Sequence, residues 1–146
     1  MVQKIKIIAV GKIKNKNIES ELNEFFKRLT PFCSISIQEM KDEGIKKESE
    51  KIALIIKENP GAFILDAKGK QFSSEEFSEL LKKESKESKE IVFIIGGPDG
   101  IESSVKSKAK NISLSNMTFT HEMSRLLLVE QIYRAFMIQS NRPYHK

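Results

Sequence analysis

Two hydrophobic periods trade places along this chain, and each change of period marks a change of element. Ile5, Ile7, Ile8 and Val10, interrupted by Lys6 and closed by Gly11, predict a strand over residues 5–10 that runs into a loop. Ile18, Leu22, Phe25, Phe26 and Leu29 fall at helical spacing and predict an amphipathic helix over 18–29 that stops before Pro31. Strict alternation over 34–38 predicts a half-buried strand. A second helix is expected over 46–58, carrying Ile52, Leu54, Ile55 and Ile56 and ended by Asn59, Pro60 and Gly61. Residues 62–65 read as a short buried strand. Ser73 followed by Glu75 and Glu76 opens a third helix, which continues through Phe77, Leu80 and Leu81. The alternating charges of 82–89 suit a solvated helix end or a linker.

The most apolar stretch is Ile91, Val92, Phe93, Ile94 and Ile95, which predicts a central strand covered on both faces. Gly96, Gly97, Pro98, Asp99 and Gly100 end it abruptly. A short helix over 103–109 and a brief strand over 111–114 precede a long C-terminal helix. There Leu126, Leu127, Leu128, Val129, Ile132, Tyr133, Phe136, Met137 and Ile138 point in too many directions for one face against one core, so a homodimer contact is expected. Strand and helix alternate without an internal repeat. The expectation is one α/β domain over 1–146, with a mostly parallel sheet and helices on both faces.

Composition narrows the partners. An apolar fraction of 39% and a charged fraction of 31% are ordinary for a soluble globular protein. A net charge of +5, carried mostly by lysine, permits binding to a polyanion such as RNA without demanding it. Cys33 is the only cysteine, which excludes an internal disulfide and a cysteine-based metal site; beside Pro31 and Phe32 it reads as a small core residue. The N-terminal apolar run is too short for a signal peptide or a membrane span. A cytoplasmic protein with no metal and no membrane contact is expected.

In open α/β sheets, ligands gather beyond the carboxyl ends of the strands. Gly96 and Gly97 leave the most buried strand at that point, and without Cβ atoms they allow close approach to the main chain. The spacing is neither a dinucleotide fingerprint nor a Walker loop, and Gly11-Lys12 is too sparse for either. Three strand ends carry comparable features: Leu65 with Gly69, Gly96 with Gly97, and the loop 114–119. Their convergence predicts an apolar pocket with free backbone groups. Such a pocket suits a purine with a hydrophobic or sulfur-bearing arm, and it lacks the cations expected around a triphosphate.

Several blocks together are more specific. They are the run from Phe93 to Gly100, Leu114 to Phe119 with His121, Arg125 with Glu130 to Ala135, and Pro143, Tyr144, His145 and Lys146. With residues 7–12 and 65–70 in the same order, they closely resemble the RlmH family of the SPOUT (α/β-knot) methyltransferases. The resemblance spans the whole chain. It implies an S-adenosyl-L-methionine-dependent enzyme that methylates N3 of a pseudouridine in 23S rRNA of the large ribosomal subunit. It further implies a homodimer and a C-terminal deep trefoil knot, a topology that periodicity does not predict.

Matched by motif, the cofactor-binding positions implied are Leu65, Gly96, Leu114, Ser115, Asn116, Met117, Thr118 and Phe119. Leu65 and Met117 would supply apolar walls, and Gly96 close main-chain approach. The segment 40–52 is shorter than is usual in the family and maps to a surface connection. The catalytic positions implied are His145, Tyr144 and Arg142, the last standing where relatives vary. His145 either takes the N3 proton or, as imidazolium, stabilises the anion on the neighbouring carbonyl oxygen. Tyr144 stacks on the base or hydrogen-bonds its edge, while Arg142 and Lys146 pair with phosphates or the anionic base. His121 reads as a satisfied structural histidine. Arg125 and Glu130 read as a buried pair or as contacts across the dimer. Two rival readings are a non-catalytic RNA- or ribosome-binding α/β protein and a flavodoxin-like nucleotide-binding domain. The second is disfavoured by the missing P-loop and by the lack of an acidic cluster at the strand ends.

Overall fold

The computed structural model describes residues 3–146. Ten elements follow one another: β1 (Gln3–Val10), α1 (Lys16–Leu29), β2 (Cys33–Met40), α2 (Ile45–Glu58), β3 (Phe63–Gln71), α3 (Ser74–Glu87), β4 (Glu90–Ile95), α4 (Ser103–Lys106), β5 (Lys110–Ser113) and α5 (His121–Gln139). The strands form one sheet in the order β2-β1-β4-β3-β5, and every pairing is parallel.

The period-2 alternation of the strands divides the core into two layers. Ile5, Ile7, Ile91, Phe93 and Phe63 face α1, α3 and α5, and meet Leu22, Phe25, Phe77, Leu81, Leu128, Val129 and Ile132. Ile8, Val10, Val92, Ile94 and Ile64 face the opposite side and pack on Ile52, Ile56 and Val105 of α2 and α4. Successive strand residues point to opposite faces, so the unbroken apolar run of β4 is what a strand covered on both sides requires. Each such side chain removed from water stabilises the fold by roughly 1.5–3 kcal/mol.

α5 explains its own apolarity only in part. Leu128, Val129, Ile132, Ala135 and Met137 are buried, whereas Leu126, Leu127, Tyr133, Phe136 and Ile138 remain half-buried and Met123 is exposed. Among the described residues no helix is long and apolar enough to cross a membrane, and no group of three potential metal ligands occurs.

Some boundaries differ from expectation. β3 does not stop at Leu65. Leu65 and Lys70 both register against Ile112, and the residues between them bulge out. The bulge needs Gly69, because a Cβ there would lie 2.7 Å from the carbonyl carbon of Asn111. α3 continues through most of the charged run to Glu87, helped by the buried Glu84, whose carboxylate pairs with Lys110 at 3.3 Å. β5 ends at Ser113, which leaves Leu114 to open the following loop.

Candidate functional site

The carboxyl ends of β4 and β5, the bulged middle of β3 and the segment after β1 open onto one cleft of about 930 Å³. Leu65, Asp66 and Ala67 of β3 form one wall, and Ile95 and the turn Gly96–Gly100 form the floor. The loop after β5 and the first turn of α5 close the other side. Leu65, Gly96, Leu114, Ser115, Met117, Thr118 and Phe119 therefore share one cavity. Asn116 does not line it; its side-chain Oδ1 accepts from the Gln71 side-chain amide and ties the loop to β3. Met117 is 74% exposed and Phe119 36%, so the loop offers apolar surface that the described residues leave open.

Main-chain geometry, more than side-chain chemistry, shapes the floor. The Gly100 N–H donates to the Gly97 carbonyl at 3.0 Å, and Gly100 sits at φ +78°, closing a tight turn. A Cβ on Gly96 would stand 2.8 Å from Cγ1 of Ile101. The glycine is thus demanded by the packing of the turn on itself. α2 braces the turn from behind. Ser49 Oγ accepts from the Glu102 N–H at 3.0 Å. Glu48, 1% exposed, accepts from the Glu43 and Gly44 N–H groups at 2.8 Å each, and its other oxygen approaches Gly97.

The start of α5 is held by long-range bonds that local sequence does not announce. Thr120 caps the helix, its hydroxyl accepting from the Met123 N–H at 3.2 Å. Glu122 accepts from the Lys14 and Asn15 N–H groups at 3.1 and 3.0 Å, so the β1–α1 loop is clamped to the cleft rim. The Asn15 N–H, seconded by that of Lys14, holds the Glu122 carboxyl below the usual carboxylate range against the opposing effect of desolvation. Arg125, 2% exposed, donates to Glu39 at 2.7 Å and to the Gly11 carbonyl at 3.2 Å. The expected Arg125–Glu130 pair does not form. One turn and a half further on, Glu130 faces away and binds Arg134 instead, at 2.9 and 2.7 Å. His121 lines the cleft, and its buried Nδ1 has no hydrogen-bond partner, so it is not the satisfied structural histidine expected.

Charge in the cleft is nearly balanced. Lys106 pairs with Asp66 at 3.2 Å, and Glu122 is committed to backbone donors. Such a site suits a ligand with an apolar body and little net negative charge, and does not suit a polyphosphate.

Arg142, Tyr144 and His145 lie elsewhere, and none of them lines the cleft. α5 ends in a Schellman turn. The Arg142 N–H donates to the Met137 carbonyl at 2.9 Å and the Asn141 N–H to that of Ile138 at 3.2 Å, with Asn141 at φ 55°. This turn folds the tail back along its own helix. Tyr144 meets Tyr133 edge-on at 4.8 Å and lies under the Arg134 guanidinium at 4.9 Å. Desolvation raises the Tyr144 phenol above its ordinary range. His145 reaches Arg134 and Glu75. The Arg142 guanidinium sits 5.0 Å over the Phe32 ring. From the sequence, Glu75 reads only as an acid opening a helix, and neither Glu122 nor Arg134 is given a role. The first-turn position of Glu122, where a helix favours acids, is the one signal that could have drawn attention to it.

Comparison with known proteins agrees with this layout. The family described as "Predicted SPOUT methyltransferase" matches residues 3–145. A protein of Dictyoglomus thermophilum named ribosomal RNA large subunit methyltransferase H is 47% identical, over 97% of this chain and 98% of its own. Proteins of the same name from Clostridium botulinum strain 657 and Caldicellulosiruptor saccharolyticus are each 41% identical, over 97% of this chain and 99% of theirs. Among solved structures, a chain described as a probable methylase family protein from Haemophilus influenzae Rd KW20 shares the fold. Its TM-score is 0.60 at 13% identity, over 100% of this chain and 72% of that one. An all-parallel α/β sheet, a cleft floored by a glycine turn, and a family match over nearly every residue converge on one conclusion: the chain belongs to the SPOUT methyltransferase family.

Proposed function

We propose that this protein methylates N3 of a pseudouridine in 23S rRNA of the large ribosomal subunit, using S-adenosyl-L-methionine, as a cytoplasmic homodimer. The observation that carries the proposal is the shared cleft. Loop 114–119, the Gly96 turn and Leu65 border one cavity of about 930 Å³, in a chain whose full length matches proteins named for large-subunit rRNA methylation. The donor set fits the cofactor. Leu65, Ile95 and Met117 offer apolar walls to a purine and a thioether arm, the main chain at 96–97 and 114–119 borders the cavity, and the Asp66–Lys106 pair leaves no surplus cation.

S-adenosyl-L-methionine, when bound, supplies a methyl group activated by its sulfonium. The work left to the chain is positioning, which contributes on the order of 7–11 kcal/mol in well-oriented reactions. Loop 114–119, tethered through Asn116 to Gln71, orients the donor. The pseudouridine N3 must lose its proton before it attacks. His145 takes that proton or stabilises the resulting anion, with Tyr144 against the base and Arg142 and Lys146 on the phosphates. Because the tail of one chain does not line that chain's cleft, the reaction draws the tail from a second copy, and the half-buried apolar flank of α5 is its natural seat. A C-terminal trefoil knot belongs to the same reading.

The test is mass spectrometry of 23S rRNA after incubation of large subunits or ribosomes with the protein and methyl-labelled cofactor. One labelled methyl on a pseudouridine is expected, and unlabelled RNA would overturn the proposal. A calorimetric titration with S-adenosyl-L-methionine should give saturable heat. A flat titration would favour the non-catalytic RNA-binding reading.

A further inference from the structure

His145 is held through both ring nitrogens by groups of its own chain. Nη1 of Arg134 lies 3.0 Å from Nδ1, and Oε1 of Glu75 lies 2.6 Å from Nε2. A guanidinium can only donate, so Nδ1 accepts, and the proton of the neutral ring sits on Nε2 and is donated to Glu75. One tautomer satisfies both contacts. The partners are themselves fixed: Glu130 grips Arg134 through two bonds at 2.9 and 2.7 Å, and Tyr144 is wedged between Arg134 and Tyr133. The hydrogen bond from His145 is the first cause holding the Glu75 carboxyl below its usual range, so Glu75 is an anion at neutral pH.

We propose that Glu75 is a positioning residue for His145: it locks the Nε2–H tautomer, so that Nδ1 is the basic nitrogen, and it stabilises the imidazolium that forms when Nδ1 takes a proton. This rests on the reading of His145 as the group that acts on the base, and between its two roles it selects proton removal. The N3–H bond of the base breaks and its proton passes to the Nδ1 lone pair. The electron pair left on N3 forms the new bond to the methyl carbon, while the S–CH3 bond breaks with its pair going to sulfur, leaving a thioether. The imidazolium then returns its proton to solvent. The Arg134 donation to Nδ1 must yield to the N3–H of the substrate. Glu130, already bonded to Arg134 twice, gives that guanidinium a second seat. The charged and titratable groups around the ring are Glu75 from α3, Glu130, Tyr133 and Arg134 from α5, Arg28 from α1 behind Tyr133, and Tyr144 from the tail.

The test pairs nitrogen NMR of the His145 ring with steady-state kinetics on large subunits, for wild type, Glu75→Ala, Glu75→Gln, His145→Ala and Glu75→Ala/His145→Ala. In the wild type the ring should show the Nε2–H tautomer. Glu75→Ala should give a mixture of tautomers and lower kcat on the order of tenfold to a hundredfold, part of the roughly 10²–10⁴-fold that a general base supplies. Its KM for RNA and for cofactor should not change. Glu75→Gln should keep the tautomer, since the amide oxygen still accepts, yet lose kcat because the counter-charge is gone. The double variant should be no slower than His145→Ala, as expected of residues that act as a unit. Wild-type turnover in His145→Ala would sink the reading of His145 itself. An inactive His145→Ala beside a Glu75→Ala with unchanged tautomer and kcat would sink the role of Glu75 alone.

Discussion

Gly96→Ala separates two reasons for a glycine at the floor of the cleft, ligand approach and the packing of the turn. A Cβ built at this position falls 2.8 Å from Cγ1 and 3.3 Å from Cδ1 of Ile101, and 3.5 Å from the carbonyl carbon of Gly100. Carbon atoms rest about 3.5–4.0 Å apart, so the nearest contact is short by about an ångström. Ile101 is 7% exposed and belongs to the buried cluster of Val10, Ile52 and Val105, so it yields to the new Cβ only by leaving that packing. Overpacking of this kind costs about 1–3 kcal/mol. Gly96 does not occupy the left-handed region, so alanine recovers about 0.4–1 kcal/mol from the stiffer unfolded chain. The net expectation is a loss of about 1–2 kcal/mol, or a fall in Tm of roughly 3–8 °C for a chain of this size.

Ile101→Ala alone should cost about 2–5 kcal/mol as a cavity. In that background Gly96→Ala should cost nothing or stabilise slightly, giving a coupling of about 1–3 kcal/mol between the two sites. Urea denaturation of the four proteins measures it. Calorimetry with S-adenosyl-L-methionine should find equal affinity in Ile101→Ala and the double variant, because the new Cβ points at residue 101. Additivity within about 0.5 kcal/mol would refute the packing explanation. A further loss of affinity in the double variant would return Gly96 to the ligand.

Arg125→Ala should cost about 3 kcal/mol, the low end for a broken buried pair, because Glu39 is 39% exposed and can rehydrate. Arg125→Met keeps the buried stem and should cost only about 1 kcal/mol, for the orphaned Gly11 carbonyl; equal losses in the two variants by urea midpoint would contradict this. Glu122→Gln should lose about 1 kcal/mol at pH 7. Since the folded carboxyl titrates below its unfolded value, its stabilisation is complete above the ordinary carboxylate range of about 4.3 and fades as pH falls through the depressed folded value. The gap between wild type and Glu122→Gln should therefore close on acidification, and a gap independent of pH would refute the clamp. Burial pushes the Cys33 thiol up to about 11, so thiol labelling at pH 8 should run at least about a hundredfold slower in the folded than in the urea-unfolded protein.

Those variants also mark where the sequence stops being readable. β4 was legible because a strand covered on both faces must be apolar at every position, β1 because its apolar run over 5–10, rich in β-branched residues, is broken only by Lys6, and α1 because its period of 3.6 is set by one buried face. The second half of β3 was not. Asp66, Lys68 and Lys70 resemble a turn, and only the neighbouring β5 backbone, pressed against Gly69, makes strand pairing resume there. The members of the cleft were legible as loops at the carboxyl ends of strands, yet what holds them in place was not. The Glu122–Asn15, Arg125–Glu39 and His145–Glu75 contacts join positions 107, 86 and 70 residues apart, and no local period encodes such pairs. The Schellman turn at Asn141 matters most in this respect. It reverses the tail onto α5, where Tyr144 and His145 find Arg134 and Glu75, and so keeps those residues out of their own chain's cleft. A methyl donor in that cleft and a proton acceptor on that tail can meet at one base only if a second chain brings one of them. The oligomer is then a requirement of the proposed chemistry, beyond what the apolar flank of α5 already asks for.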